Sequence, residues 1–443
     1  MRGAVGVFMH KENFDITLES ISKIEGHAGL DIHVRNGEVE NVKLKISENM
    51  RFFKEAVRGK RFNGAHQIVS RICGTCSTAH LLGCIECVEN VFGIPLSNQT
   101  RILKHLTMNG LQIRDHSMHL FFFCLPDLFG KDSVLDFKTD EEKELLHKAL
   151  HVKEVGGTMG NMIAGRAVHP PYPTVGGYSK IPSKEDVNKL ITMIKEERES
   201  AIEFVDLFYE WQKSLERKTK YVATKHTFYN FLEGELCDSN GVCIPDFAFT
   251  EHLHKVVIPY SQAEGFLYKG ETYMVGALAR MNIGRDTLHK DTKRDLGKYL
   301  SVFPSDNIYH NNLAQAIEIV HAMDHSLELL ETTEFKEEKP PQIEPKEAGG
   351  TGIVEAPRGT LYYYLEFDSA GNIALADLVI PTAQNQVMME KDIGLLVQQC
   401  LDQDIPRDQI EREIEILIRA YDPCMSCATH FLQVNWNNSG KNN

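Results

Sequence analysis

Two pairs of thiols carry the chemistry that this sequence offers. Cys73 and Cys76 stand three apart in RICGTCSTAH, residues 71–80, and Cys424 and Cys427 repeat that spacing in DPCMSCATH, residues 422–430. Together four thiolates form a soft ligand set, suited to zinc, an iron–sulfur cluster or nickel and ill suited to magnesium or calcium. One pair alone is a weak signal, for which a structural zinc site, a redox disulfide and simple core cysteines all compete. A zinc ribbon is disfavoured, because such modules draw their ligands from a few tens of residues and these pairs lie near opposite ends of the chain. Whether folding joins them decides the function.

The other cysteines read differently. Cys84 and Cys87, in AHLLGCIECVENVFG, fit a helix whose small residues face a neighbour, so no ligation is expected there. Cys124, Cys237, Cys243 and Cys400 read as buried free cysteines that behave as small hydrophobes, Cys237 and Cys243 being only loosely paired. Three charged residues accompany the thiol motifs: Glu25 beside Gly26 in KIEGHAGL, Asp115 in IRDHSMHLFFF and Arg358 in EAPRGTL. Taken singly, a charge beside a turn is usually a solvated surface group.

The elements that must bring these residues together are legible in outline. At 443 residues the chain can form two or three structural regions, or one large domain with insertions. A formal charge of −14 argues against nucleic acid or an anionic membrane as partner. The opening MRGAVGVFMHKENFD lacks an apolar core of signal-peptide length, and no apolar run of about 18 residues occurs. A cytoplasmic protein without direct membrane insertion is expected, in which thiols stay reduced and ten cysteines serve metal or redox chemistry rather than a disulfide framework.

Residues 1–47 alternate like paired strands around Arg35-Asn36-Gly37-Glu38, where Asn-Gly is a strong hairpin signal. Residues 48–335 turn helical, with apolar positions three and four apart, as in the long stretch after the Ser183 N-cap candidate and in NNLAQAIEIVHAMDHSLELLE. A charged, proline-bearing segment at 336–350 reads as a linker or surface loop. Residues 351–430 hold strands around a Gly-Asn turn, a last helix ending at Asp422-Pro423 and the second thiol pair, and 431–443 form a polar end. The expected class is α+β and mostly helical. A central bundle of long helices would carry a small β region formed by the N-terminal segment and the segment around 350–385.

At this point the motifs KIEGHAGL, RICGTCSTAH, RDHSMHLFFF, GRAVHPPYPTVGG, EAPRGTLYYY, IPTAQN and DPCMSCATH, in that order, make the chain resemble the large, catalytic subunit of a nickel–iron hydrogenase over almost its whole length. The two cysteine motifs together are highly specific, since relatives in respiratory complex I that share the fold have lost these cysteines. By this resemblance nickel is held by Cys73, Cys76, Cys424 and Cys427, with Cys76 and Cys427 also bridging to iron. The iron carries carbon monoxide and cyanide, which implies maturation proteins. Pro357, Arg358 and Thr382 match residues near the cyanides. The reaction is heterolytic cleavage of hydrogen and its reverse, with Cys424 taking the proton and Glu25 passing it on. The alternative has Arg358 polarise hydrogen from above the metals, with Asp115 and Asp422 as its counter-ions, but guanidinium is a poor proton acceptor, which favours the cysteine–glutamate route. His80 resembles a histidine that hydrogen-bonds near a cysteine sulfur.

The resemblance also implies a partner. This chain has no clustered Cys-x-x-Cys-x-x-Cys run to hold a cluster, so electrons must leave through an iron–sulfur small subunit. Similarity favours cytoplasmic branches that couple hydrogen to nicotinamide, deazaflavin or a heterodisulfide. A hydrogen sensor or assembly scaffold with an intact site and little turnover is the rival reading. Two departures stand out: Lys54 occupies the place where many relatives have a glutamate that, with His430, helps bind magnesium or a similar ion, so that either Glu55, one step later, ligates the ion or the Lys54 ammonium substitutes for it, and Tyr363 and Tyr364 stand where relatives often have histidine. Residues 431–443 match an extension that an endopeptidase removes after nickel insertion.

Overall fold

The computed structural model describes residues 13–48 and 52–429. Its N-terminal sheet is an antiparallel meander of Phe14–Leu18, Ala28–Arg35 and Glu38–Ile46. Asn36 and Gly37 form the second turn with φ of 54° and 81°, the positive values that an Asn-Gly hairpin needs. Along Ala28–Arg35 burial alternates strictly, so one face lies in the core. The helix Pro381–Asp402 packs on Glu38–Ile46 and fastens it: Leu44 N–H donates to Glu390 at 2.9 Å and Gln386 Nε2 donates to the Leu44 carbonyl at 3.1 Å.

The body is a bundle of long helices, Asn98–Met118, Asp140–Ala164, Lys184–Glu210 and His310–Thr332, which pack on one another. Their starts are specified locally. Thr139 and Ser183 form capping boxes with Glu142 and Asp186, and the Ser97 hydroxyl accepts from Thr100 N–H. Glycine permits the closest crossing, since a Cβ on Gly156 would collide with the backbone nitrogen of Arg114.

A second antiparallel meander, Ala348–Ala356, Gly359–Phe367 and Ile373–Val379, lies on the helix Ser77–Phe92. Here the small residues around the inner thiol pair find their neighbour: a Cβ on Gly352 would lie 2.5 Å from the Cys87 nitrogen, and one on Gly83 would lie 3.2 Å from the Tyr363 ring. Cys84 and Cys87 are buried in that interface as free thiols, and burial pushes the Cys84 thiol up to about 12.

Two features depart from expectation. Short strands interrupt the helical stretch: Lys220–Lys225, Glu235–Asp238, Cys243–Ile244 and Tyr273–Met274 form one small sheet. Within it, Cys237 and Cys243 are disulfide-bonded rather than free. The reason is register. The two strands run antiparallel with Cys237 directly opposite Cys243, which places their Cβ atoms within bridging reach. No helix among the described residues is long and apolar enough to cross a membrane.

Candidate metal centre

Each thiol pair sits at the start of a helix. Cys76 is the N-cap residue of Ser77–Phe92, with Cys73 in the turn before it, and Cys424 is the N-cap residue of the short helix Met425–Ala428, which contains Cys427. Two contacts seat these turns. Arg114 donates to the Thr75 carbonyl between the first two thiols, and Met425 N–H donates to the Glu25 carbonyl at 2.9 Å.

Folding joins the pairs. Cys73 Sγ lies 3.4 Å from Cys424 Sγ and Cys76 Sγ lies 3.1 Å from Cys427 Sγ. All four sulfurs fall within 4.8 Å of one another, and all four residues are buried. Hydrogen bonds from Cys424, Cys427 and Cys76 hold the Cys73 thiol well below its ordinary range, whereas burial pushes Cys424 and Cys427 up. One sulfur can therefore ionise alone, but four together need a cation among them.

Glu25 reaches this cluster from the loop between the first two N-terminal strands. Its Oε2 accepts from Cys424 Sγ at 3.0 Å and from Ser426 N–H at 3.1 Å, while Oε1 accepts from the Ser426 hydroxyl at 2.5 Å. Burial raises its carboxyl above the usual range. Gly26, with φ of 83°, makes the approach feasible, because a Cβ there would lie 2.9 Å from that of Met425.

Opposite stands Arg358, buried between two carboxylates. Nη1 donates to Asp115 at 2.7 Å and Nη2 lies 3.0 Å from Asp422 Oδ1. Its Nε is buried without a partner. Arg358 lines a small cavity with Cys76, Cys424, Cys427, His80, Thr382 and four apolar or backbone neighbours. Thr382 Oγ1 accepts from Cys424 N–H at 2.9 Å, which leaves its own hydrogen available. His80 Nδ1 lies 2.8 Å from the Tyr363 hydroxyl, and burial pushes the imidazole down to about 4, so it is neutral at pH 7.

Four converging buried soft donors, beside a buried guanidinium N–H without a protein acceptor, fit a soft metal with small anionic ligands.

Lys54 forms an ion pair with Asp377. His430 and the 431–443 segment lie outside the described residues. Sequence reasoning missed Ser426, Arg114 and Gln315, the last donating to Asp422 at 2.8 Å. Ser426 was the most accessible of these, lying inside the second thiol motif; Gln315 sits mid-helix and carried no signal. Also unforeseen was the π-helical segment His119–Cys124, which re-aims His119 toward Gln315 and the Arg419 carbonyl, at 2.6 and 2.7 Å.

A mostly helical α+β chain that closes four buried thiols under a paired arginine defines a soft-metal redox protein. The nickel-dependent hydrogenase family model matches residues 51–158 and 194–430, and the chain belongs to that family as the large, catalytic subunit of a nickel–iron hydrogenase, an oxidoreductase acting on H2. It is 31% identical over 425 residues to the alpha subunit of sulfhydrogenase 1 from Pyrococcus furiosus, covering 95% of this chain and 98% of that one. It is 28% identical to one subunit of the F420-non-reducing hydrogenase from Methanothermobacter marburgensis, covering 94% of each. In fold it resembles the crystal structure of an NAD+-reducing NiFe-hydrogenase in the H2-reduced state, with a TM-score of 0.83 and 24% identity over 94% of this chain and 99% of that one.

Proposed function

We propose that Cys73, Cys76, Cys424 and Cys427 would hold a nickel–iron centre whose iron would carry carbon monoxide and cyanide. The observation that supports this most is the convergence of four sulfurs within 4.8 Å. When bound, the centre supplies heterolytic cleavage of H2 and its reverse, H2 giving two protons and two electrons.

The chain's own residues manage the proton and the polarity. Cys424 Sγ accepts a proton and delivers it to Glu25 Oε2, its partner at 3.0 Å. The Ser426 hydroxyl and N–H orient that carboxylate, and burial raises its carboxyl above the usual range, which favours its holding a proton. Arg358 stays charged between Asp115 and Asp422, so its Nε–H and the Thr382 hydroxyl, beside Pro357, would be available as donors to cyanide ligands of the centre. His80, neutral and fixed by Tyr363, donates its other ring N–H into the sulfur cavity.

Electrons leave through a small subunit that carries iron–sulfur clusters. Maturation proteins supply the diatomic ligands, and an endopeptidase removes 431–443 after nickel insertion. The enzyme works in the cytoplasm with a soluble electron carrier, in keeping with relatives named as sulfhydrogenase, F420-non-reducing and NAD-reducing hydrogenases. At Lys54 an ammonium takes the place of a divalent ion. Infrared spectroscopy of the purified complex tests the centre: bands from iron-bound carbon monoxide and cyanide are expected, and tetrahedral zinc without such bands would end the proposal.

A further inference from the structure

Arg358 stands at an improbable place for a precisely aimed side chain. Ala356 pairs with Gly359 at the end of a β-ladder, so Pro357 and Arg358 are the two tip residues of a hairpin. Hairpin tips normally face water and move. This one is buried, and its backbone carbonyls require partners inside the protein.

One side chain supplies two of them, at residues 356 and 357. Arg280, on the helix Ala277–Gly284, donates from Nη1 to the Ala356 carbonyl at 3.0 Å and from Nη2 to the Pro357 carbonyl at 3.1 Å. The same guanidinium is fixed from behind. Nε and Nη2 fork onto Glu318 at 2.6 and 2.7 Å, and Nη1 also meets Glu355 Oε2 at 3.1 Å. Those carboxylates are themselves held. Glu318 accepts from the Tyr229 hydroxyl at 2.5 Å and lies 2.7 Å from His116 Nε2; Glu355 Oε1 accepts from Thr224 N–H at 2.8 Å and from the Thr360 hydroxyl at 2.9 Å. Arg280, Glu318 and Glu355 are each at most 2% exposed.

The turn also sits against the start of the Arg280 helix. Gly359 has φ of 128°, and a Cβ there would lie 2.6 Å from Val275 Cγ2 and 2.7 Å from Gly276 N. Tip and helix therefore move as one body, with Arg280 as the polar fastening between them. Arg280 touches none of the four thiols in any hydrogen bond, so its influence on them must pass through Arg358.

We propose that Arg280 is a positioning residue for the hydrogenase reaction: by holding the carbonyls of residues 356 and 357 it fixes where the Arg358 guanidinium stands over the metal centre. The proposal rests on the reading of Arg358 as a donor to the iron's cyanides. Losing the fastening would let the tip, and the aim of Arg358, shift by a fraction of an ångström to an ångström, a displacement that costs about 10- to 100-fold in rate where geometry matters.

The test uses the complete enzyme, with metals and small subunit in place, carrying Arg280→Lys or Thr360→Val. Lysine keeps the charge between Glu318 and Glu355 but cannot span both carboxylates and both carbonyls. Valine removes only one support of Glu355 and is nearly isosteric. Nickel and iron contents are expected to stay full in both. Arg280→Lys should shift the cyanide stretching bands and lower kcat about 10-fold or more with KM for H2 unchanged, and Thr360→Val should shift the bands less, in the same direction. A loaded variant with wild-type bands and wild-type kcat overturns the proposal. If Arg280→Lys yields no folded enzyme, Thr360→Val decides alone, wild-type bands again overturning it. Absence of diatomic bands from the wild-type enzyme is a different result, which overturns the reading of the centre itself.

Discussion

Glu25 and Cys424, 399 positions apart, meet twice: their backbones form an isolated parallel bridge, and the cysteine sulfur donates to the carboxylate at 3.0 Å. The backbone pairing is what makes the side-chain contact dependable. A carboxylate held only by its own rotamer would sample several positions, whereas here strand-like pairing, Ser426 and the absence of a Cβ on Gly26 confine it.

That contact predicts the phenotype of Glu25→Gln. The amide is isosteric and can still accept from Ser426, so folding and metal loading should persist, but it does not relay a proton near neutral pH. Nickel and iron assays should match the wild type while hydrogen–deuterium exchange is lost. Near-normal exchange would place the proton route elsewhere.

The thiol pairs separate by experiment as they separate in space. Cys427→Ala should abolish nickel retention, because three sulfurs remain of a four-sulfur set. Cys84→Ala should leave nickel content unchanged and cost about 1–2 kcal/mol of stability, the ordinary consequence of a small cavity under a packed strand. Metal loss in the Cys84 variant would contradict its assignment as a packing residue.

Why part of this was legible beforehand is clear from particular residues. The Asn36-Gly37 turn, the Ser183 cap and the long amphipathic helices follow from local rules, and the structure has them at those places. The chain ends carry the thiol motifs, so the cluster could be anticipated, although only folding could bring its halves together. What escaped was non-local. Glu235–Asp238 and Cys243–Ile244 are too short to show alternation within a helical stretch, so the Cys237–Cys243 bond was unforeseen. Arg280 and Gln315 look like ordinary polar residues of helices, and their meaning comes from the carbonyls and carboxylates of distant segments.

The disulfide itself is chemically testable. Denatured in the presence of a chelator and without reductant, the chain should expose eight alkylatable cysteines of its ten. Closing so short a loop stabilises by about 2 kcal/mol in the chain-entropy account, so Cys237→Ser with Cys243→Ser should lower the melting temperature without touching metal content. Ten reactive thiols would show that the bond does not form in the isolated protein.

Acid sensitivity follows from a buried histidine group. The rings of His105 and His325 lie 5.6 Å apart and those of His325 and His321 are stacked at 5.9 Å. Burial pushes His105 down to about 4 and His321 and His325 to about 3. Their unfolded values lie near 6.5, so below that pH the unfolded chain binds protons that the folded chain refuses. This contribution to stability is complete above pH 6.5 and is lost as pH falls toward about 3–4. The slope is at most about 1.4 kcal/mol per pH unit for each histidine. Melting temperature should fall between pH 7 and pH 5, and more gently in His325→Gln; identical slopes in the two proteins would remove the histidines as the cause.

Lys54 offers the last test. Against burial, which raises it, Lys54 and Lys255 hold the Asp377 carboxyl below its usual range, so this corner already contains the positive charge that a divalent ion would bring. Replacing Lys54 with glutamate sets a second carboxylate beside Asp377 and leaves the Lys255 ammonium to offset both, an imbalance that a divalent cation would relieve. Lys54→Glu should therefore be less stable than the wild type in chelator and recover with millimolar Mg2+, whereas the wild-type melting temperature should ignore Mg2+. If the wild-type enzyme carries a stoichiometric divalent ion whose removal destabilises it, the ammonium does not substitute for one, and the lysine is then an ordinary partner of Asp377.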